Sequence, residues 1–272
     1  MTRRLQLTPV IAAVPLAIVA VFAAASHWLA PDARVQDILT GVTPPGPAGH
    51  IFGTAPNGRD IAQLAIAGAR TAVVGPVVIA LGSMCIGLVL GTVAGYLGGW
   101  VDLLLSKYAD LLLALPTTLI ALVVAGLVDG GYWVTVCVLI VLFSPTDIRM
   151  VRGAVIAQST RPYIESAKAL GLGRIRIMFR HIVPNVLPVA FATMLLNVAF
   201  ALVAVSALSF LGLGVGPGVP DWGRQLSDAR DLLGSNWAAA VVPGVLIIVT
   251  AAAINLLGDW VQERFERRGG GR

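Results

Sequence analysis

The chain has 272 residues, of which 57% are hydrophobic and only 12% charged, with a mean hydropathy of +0.86. A soluble domain carries about 25% charged residues, so the composition excludes a water-soluble globule. The formal charge of +5 has to be located along the chain before it says anything about partners.

Six stretches contain no Asp, Glu, Lys or Arg: 5–31, 71–101, 111–128, 130–146, 181–220 and 232–258. A bilayer core takes roughly 20 apolar residues per helix. Each stretch therefore reads as one crossing, giving an all-α membrane protein with about six transmembrane helices. The first follows two arginines and resembles a signal peptide, but it is longer than a signal core of about 7–15 residues, and an uncleaved helix is expected. Next comes a Pro- and Gly-dense segment, "TPPGPAGHIFGTAPNG" (43–58), expected to be irregular backbone. "RDIAQLAIAGAR" (59–70) reads as a helix leading into the second crossing. There Gly87, Gly91 and Gly95 fall four apart on one face, which suits close helix packing. "GGWVD" (98–102) reads as a short turn, with Asp102 and Asp110 flanking Lys107 at the entry of the third crossing. "VDGGYW" (128–133) is a second tight turn whose Tyr132 and Trp133 suit a membrane interface. Asp147, Arg149 and Arg152 mark the end of the fourth crossing.

The basic residues then fix an orientation. With the N-terminus inside and six alternations, 14 of the 19 Lys and Arg fall on the inner side, so both termini are expected in the cytoplasm. The positive charge is thus a topology signal, and no nucleic-acid partner is expected. Cys85 and Cys137 lie inside apolar stretches, and His27, His50 and His181 are scattered. No catalytic set and no metal site are expected. Arginine outnumbers lysine 17 to 2 among abundant Ala, Gly, Val and Leu, a composition that fits a GC-rich bacterial source.

The longest inner loop (157–183) contains "ESAKALGLGRIRIMFRHIVP" (165–184). Pro162 suits the first position of a helix and Glu165 its first turn. Gly171 and Gly173 break that helix, and a second starts at Arg174. Ile175, Phe179 and Ile182 then share an apolar face beside a stripe of Arg176 and Arg180. Two short helices at an angle, lying along the membrane surface, suit either contact with anionic lipid or docking into a groove of another protein. A later loop (214–236) carries Asp221, Arg224, Asp228, Arg230 and Asp231, with a small helix expected around 225–233.

The inner loop resembles the E-A-A-x-x-x-G motif of ABC-importer permeases, with I-x-P after it, on Glu165, Ser166, Ala167, Gly171, Ile182 and Pro184. Ser166 departs from the usual alanine but stays small. "GTAPNGRD", "GARTAVVG", "GYLGGWVD", "LSFLGLGVGPGVPDWG" and "NLLGDWVQERFE" are similar to further blocks of the dipeptide/oligopeptide (DppC/OppC-like) permeases, over about 49–268. Ala55 stands where that family has aspartate, so any contact of that carboxylate is lost. The resemblance implies a type I importer permease fold in a bacterial cytoplasmic membrane. It divides the chain into an N-terminal helix with an external segment (1–68), a transmembrane domain (69–258) and a basic tail (259–272). It further implies that the loop, His181 included, couples to one or two ABC ATPase subunits, which bind ATP and Mg. This chain itself has no phosphate loop and no cofactor. A second homologous permease would complete the path. An external binding protein, docking around Asp221, Arg224 and Asp228, would deliver di- or oligopeptides. Nickel chelates or haem are alternative cargoes, and a secondary transporter or channel is the alternative class.

Overall fold

The computed structural model describes residues 4–46, 49–128 and 131–269. The turn residues 129–130, Arg3, Arg272 and the rest of the two termini lie outside the described residues. The chain forms helices α1 (Arg4–Leu29), α2 (Ile61–Leu97), α3 (Gly99–Leu113), α4 (Thr117–Leu127), α5 (Gly131–Ser159), α6 (Pro162–Ala169), α7 (Arg174–Phe210), α8 (Trp222–Asp228) and α9 (Ala238–Gly269). Among the described residues the strand-like pairing is one isolated bridge, Thr54 with Asp60. Among the described residues five helices are long and apolar enough to cross a bilayer, and α3 with α4 passes the same test only as a bent pair, a broken crossing or a re-entrant loop.

α2 and α5 form the closest pair in the bundle, and the glycine column explains why. A Cβ on Gly87 would sit 2.4 Å from the Asp147 Cβ, one on Gly91 2.8 Å from the Ile148 carbonyl, and one on Gly95 2.8 Å from the Arg152 carbonyl. Backbones touch there because no side chain intervenes. α7 packs across this pair and α9 packs on α7. The interior is a stack of apolar groups, with Ile79, Val136, Leu139, Ala201 and Val205 around its middle and Met84, Val151, Val155, Ile182 and Val186 toward the α6 end. Outward-facing α1 leaves Val10, Ile11, Val14 and Val21 bare, as lipid contact requires.

The third crossing differs from the sequence reading. α3 and α4 are bent by 83° at a short break, where Pro116 stands ahead of α4 and constrains the residue before it. The 11 residues of α4 reach only about 16 Å, short of a hydrocarbon core of about 30 Å. The turn expected over 98–102 shrinks to Gly98 and Gly99, both at positive φ, and Trp100 already belongs to α3. Asp102 and Asp110 do not merely flank Lys107: they pair with Arg152 and Arg149 across to α5.

Tyr132 is half-buried, and its hydroxyl donates to the Thr71 carbonyl of α2 at 2.6 Å beside Gly75. Trp133 stays 58% exposed. The boundary drawn at 68/69 falls inside the uninterrupted α2, and α9 runs through 258 to Gly269.

The segment before α2 is irregular, as its composition implies, yet tightly tied. Gly53 and Gly58 lie at positive φ, and a Cβ on either would strike the carbonyl of Thr43 or Asp37. Thr54 Oγ1 donates to the Gly41 carbonyl and accepts from the Thr43 amide, each at 2.7 Å. His50 pairs with Asp60 at 2.6 Å, while Asp60 caps α2 through the Gln63 amide. Ala55 is buried against Ile61, Leu64 and Ala229, so an apolar contact occupies that position.

Candidate functional site

α6 follows α5 after a two-residue link. Arg161 is extended, Pro162 takes the first helical turn, and Glu165 lies in that turn. The helix ends in a Schellman motif: the Gly171 amide donates to the Lys168 carbonyl at 3.0 Å and the Leu172 amide to the Ala167 carbonyl at 3.2 Å. Gly171 has φ +72°, with open space where a Cβ would stand. Its glycine is therefore set by backbone conformation and not by crowding. Gly173 has an extended backbone and a free surround, so only one of the two glycines is demanded by the turn.

Two faces of α6 differ sharply. Ile164 is fully buried and Ala167 nearly so, packed with Met84, Val151, Val155, Ile177, Ile182 and Val186 from α2, α5 and α7. The Tyr163 hydroxyl donates to Gln158 Oε1 at 3.0 Å and accepts from Asn185 Nδ2 at 3.3 Å. Lys168 places its ammonium 5.7 Å from the Tyr96 ring centre. Glu165 and Ser166 face outward, and Ser166 Oγ returns to the Pro162 carbonyl. Leu170 and Ile175, on either side of the glycine turn, are 79% and 72% exposed.

The second half of the loop is not a short surface helix. Arg174 opens a helix that continues unbroken to Phe210. Residues Ile177–Ile182 form a π turn, with the Val183 amide reaching the Met178 carbonyl. Pro184 has no N–H to offer the preceding turn, and a widened ring accommodates that loss. The wider turn moves the buried face. Ile177, Ile182 and Val186 point inward, whereas Ile175 and Phe179 of the expected face point out. Of the residues singled out from the motif, Ala167 and Ile182 hold the loop on the bundle, while Glu165, Ser166 and Pro184 are exposed. The His181 carbonyl accepts from Asn185 Nδ2 at 2.7 Å. The anchors Ile164, Tyr163 and Lys168 escaped the sequence reading, although the spacing of Ile164 and Ala167 at i and i+3 was visible.

At the opposite end of the bundle, α8 begins earlier than expected and is pinned from within. Trp222 is fully buried and donates to the Ala65 carbonyl at 2.8 Å, and Gln225 Nε2 donates to the Leu64 carbonyl at 2.8 Å. Asp221 is not a surface residue. Its carboxylate caps α8 through the Arg224 amide at 3.0 Å and is 3% exposed. Burial pushes its carboxyl above the usual range, against the pull of hydrogen bonds from the Arg224 amide and its neighbours. Arg224 and Asp228 pair at 3.1 Å and are partly exposed, so two of the three expected docking residues reach the surface.

One carboxylate lies where the sequence reading placed none. Asp147 is fully buried within α5 and accepts from Asn197 Nδ2 of α7 at 2.7 Å. It does not mark a return to water. The Gly87 gap admits it, and Arg149 and Arg152, two and five residues on, are the charges of this stretch that turn out of the core, to Asp110 and Asp102 of α3.

Residues 87–269 match the family model described as the inner membrane component of binding-protein-dependent transport systems. The chain is 32% identical to a di/tripeptide transport system permease DppC of Pseudomonas aeruginosa over 88% of this chain and 81% of that one. It is 31% identical to a dipeptide transport system permease DppC of Haemophilus influenzae, with 92% and 86% covered. A glutathione transport system permease GsiD of Pectobacterium atrosepticum is 34% identical, with 80% and 72% covered. The α6 loop and the glycine-packed crossings both fall within the matched region, and the chain belongs to the family of bacterial inner-membrane components of binding-protein-dependent transport systems.

Proposed function

We propose that this chain is one permease half of an ATP-driven importer of di- or oligopeptides. The observation that carries the reading is α6. Eight residues stand at one end of the bundle, bolted to three crossings by Ile164 and Ala167. Their outer side presents Glu165, with Leu170 and Ile175 beside it on the turn that follows and on the start of α7, all exposed. A charged residue beside bare apolar ones suits a protein groove better than solvent. In this reading an ABC ATPase subunit, holding ATP and Mg, seats α6 and moves it. A second, related permease closes the path, and an external binding protein meets the α8 end, where Arg224 and Asp228 are accessible. In this reading the bent α3–α4 pair is one of six crossings, so both termini and α6 share one side, and the excess of Lys and Arg there supports the cytoplasmic one. The peptide cargo is supported by the named cargoes of the relatives, di- and tripeptides and glutathione.

The test is transport by the assembled complex in proteoliposomes. Glu165→Ala and Gly171→Leu should leave the chain inserted, because both positions are exposed. Peptide uptake should fall sharply and cargo-stimulated ATP hydrolysis should fall with it, while basal hydrolysis persists. Leucine at Gly171 has to adopt a left-handed backbone at a cost of about 1–2 kcal/mol. Normal uptake by both variants at normal expression refutes the coupling role.

A further inference from the structure

The buried pair Asp147–Asn197 stands beside a cavity of about 550 Å³ formed by α4, α5, α7 and α9. Asn197 lines that cavity; Asp147 lies one layer behind it. Most of the wall is apolar, including Leu139, Phe143, Phe200 and Val203. A primary amide has two different edges, one donating and one accepting. Here one of the two Nδ2 hydrogens is given to the Asp147 carboxylate at 2.7 Å, which fixes the orientation of the amide. Asn197 Oδ1 has no partner among the described residues and is not among the shielded, unpartnered atoms, so it is open to the cavity. Asp147 fits against α2 because Gly87 has no side chain: a Cβ there would stand 2.4 Å from the Asp147 Cβ. Turning the amide over would replace its N–H bond to Asp147 Oδ1 by a contact between two oxygens.

We infer that Asp147 is a positioning residue which turns the Asn197 carbonyl oxygen into the membrane cavity as a fixed acceptor for an amide N–H of the passing peptide. The inference rests on the peptide reading above. A peptide N–H leaving water loses a hydrogen bond, and leaving it unmet among apolar groups is costly. A preset acceptor returns that bond without reorganisation. Thr146 lies next to Asp147 in sequence and also lines the cavity, so the same helix turn supplies a second polar group.

The experiment compares Ala-Ala with Ala-N-methylalanine, in which a methyl replaces the amide hydrogen, in proteoliposomes holding the complete complex and its binding protein. Asn197→Leu is expected to lower the preference for Ala-Ala about five- to tenfold relative to wild type, as loss of one hydrogen bond implies. Asp147→Leu should lower the same ratio although Asn197 is intact. Where a leucine variant fails to insert, Asn197→Ala and Asp147→Ala serve. A purely structural role would depress both peptides equally, and an unchanged ratio in the Asn197 and Asp147 variants overturns the inference. Failure of the wild-type complex to move Ala-Ala at all overturns the peptide reading itself, and the inference with it.

Discussion

Replacing Ile164 by alanine should detach α6 from the bundle without unfolding the protein. The side chain is fully buried against Val151, Val155, Ile177 and Ile182. Removing it costs about 2–5 kcal/mol, the range for large-to-small changes in a packed core. An eight-residue helix has no stability of its own, and what else holds α6 is modest: Ala167, the Tyr163 hydrogen bonds and the Lys168 contact with Tyr96. A loss of about 3 kcal/mol raises the detached population by about two orders of magnitude, at about 1.4 kcal/mol per factor of ten. Amide hydrogen exchange over residues 162–170 should accelerate by about a hundredfold, with exchange in α2 and α5 unaltered. Basal ATP hydrolysis should continue while peptide moved per ATP falls. Unchanged exchange over α6, together with normal transport, refutes the claim that Ile164 carries the link.

Single cysteines at positions 37, 174 and 228 test the topology: in sealed cells an impermeant reagent should label 37 and 228 and spare 174, and labelling at 174 overturns the orientation. Gly91→Leu should prevent close approach of α2 and α5, because its Cβ alone would meet the Ile148 carbonyl at 2.8 Å. Its measured outcome should be loss of the folded complex from the membrane, and normal accumulation of an active complex contradicts the packing.

Much of this architecture was written in where charges are missing. Five of the six uncharged stretches fall on the long apolar helices, since a helix in hydrocarbon cannot carry charge cheaply, while 111–128 falls on the bend of α3 and α4. The four-residue glycine spacing marked the face on which α2 meets α5, and Gly171 marked a left-handed turn. Other features depended on partners distant in sequence. Asp102 and Asp110 were read beside their neighbour Lys107, but Arg152 and Arg149 lie 50 and 39 residues away. Asp147 looked like the watery end of a crossing because two arginines follow it; Asn197 and the Gly87 gap keep it inside. Asp221 looked exposed because acidic residues usually are, yet a capping carboxylate next to a buried tryptophan goes inward with its helix. The π turn at 177–182 was invisible to a reading based on 3.6 residues per turn, and that single irregularity misassigned Ile175 and Phe179.

The backbone contact of α2 with α5 has a mechanical consequence. Side chains between two helices let them slide and re-pack, but here carbonyls and Cα atoms abut from Gly95 back to Gly87, and the Tyr132 hydroxyl fastens the pair again near Gly75. The twenty residues from Gly75 to Gly95 extend about 30 Å, one hydrocarbon thickness. The two helices therefore bear load as one beam, with α6 fixed at one end and the α8 turn at the other. Whatever moves one of these two helices has to move the other, and the bent joint between α3 and α4 lies outside that contact.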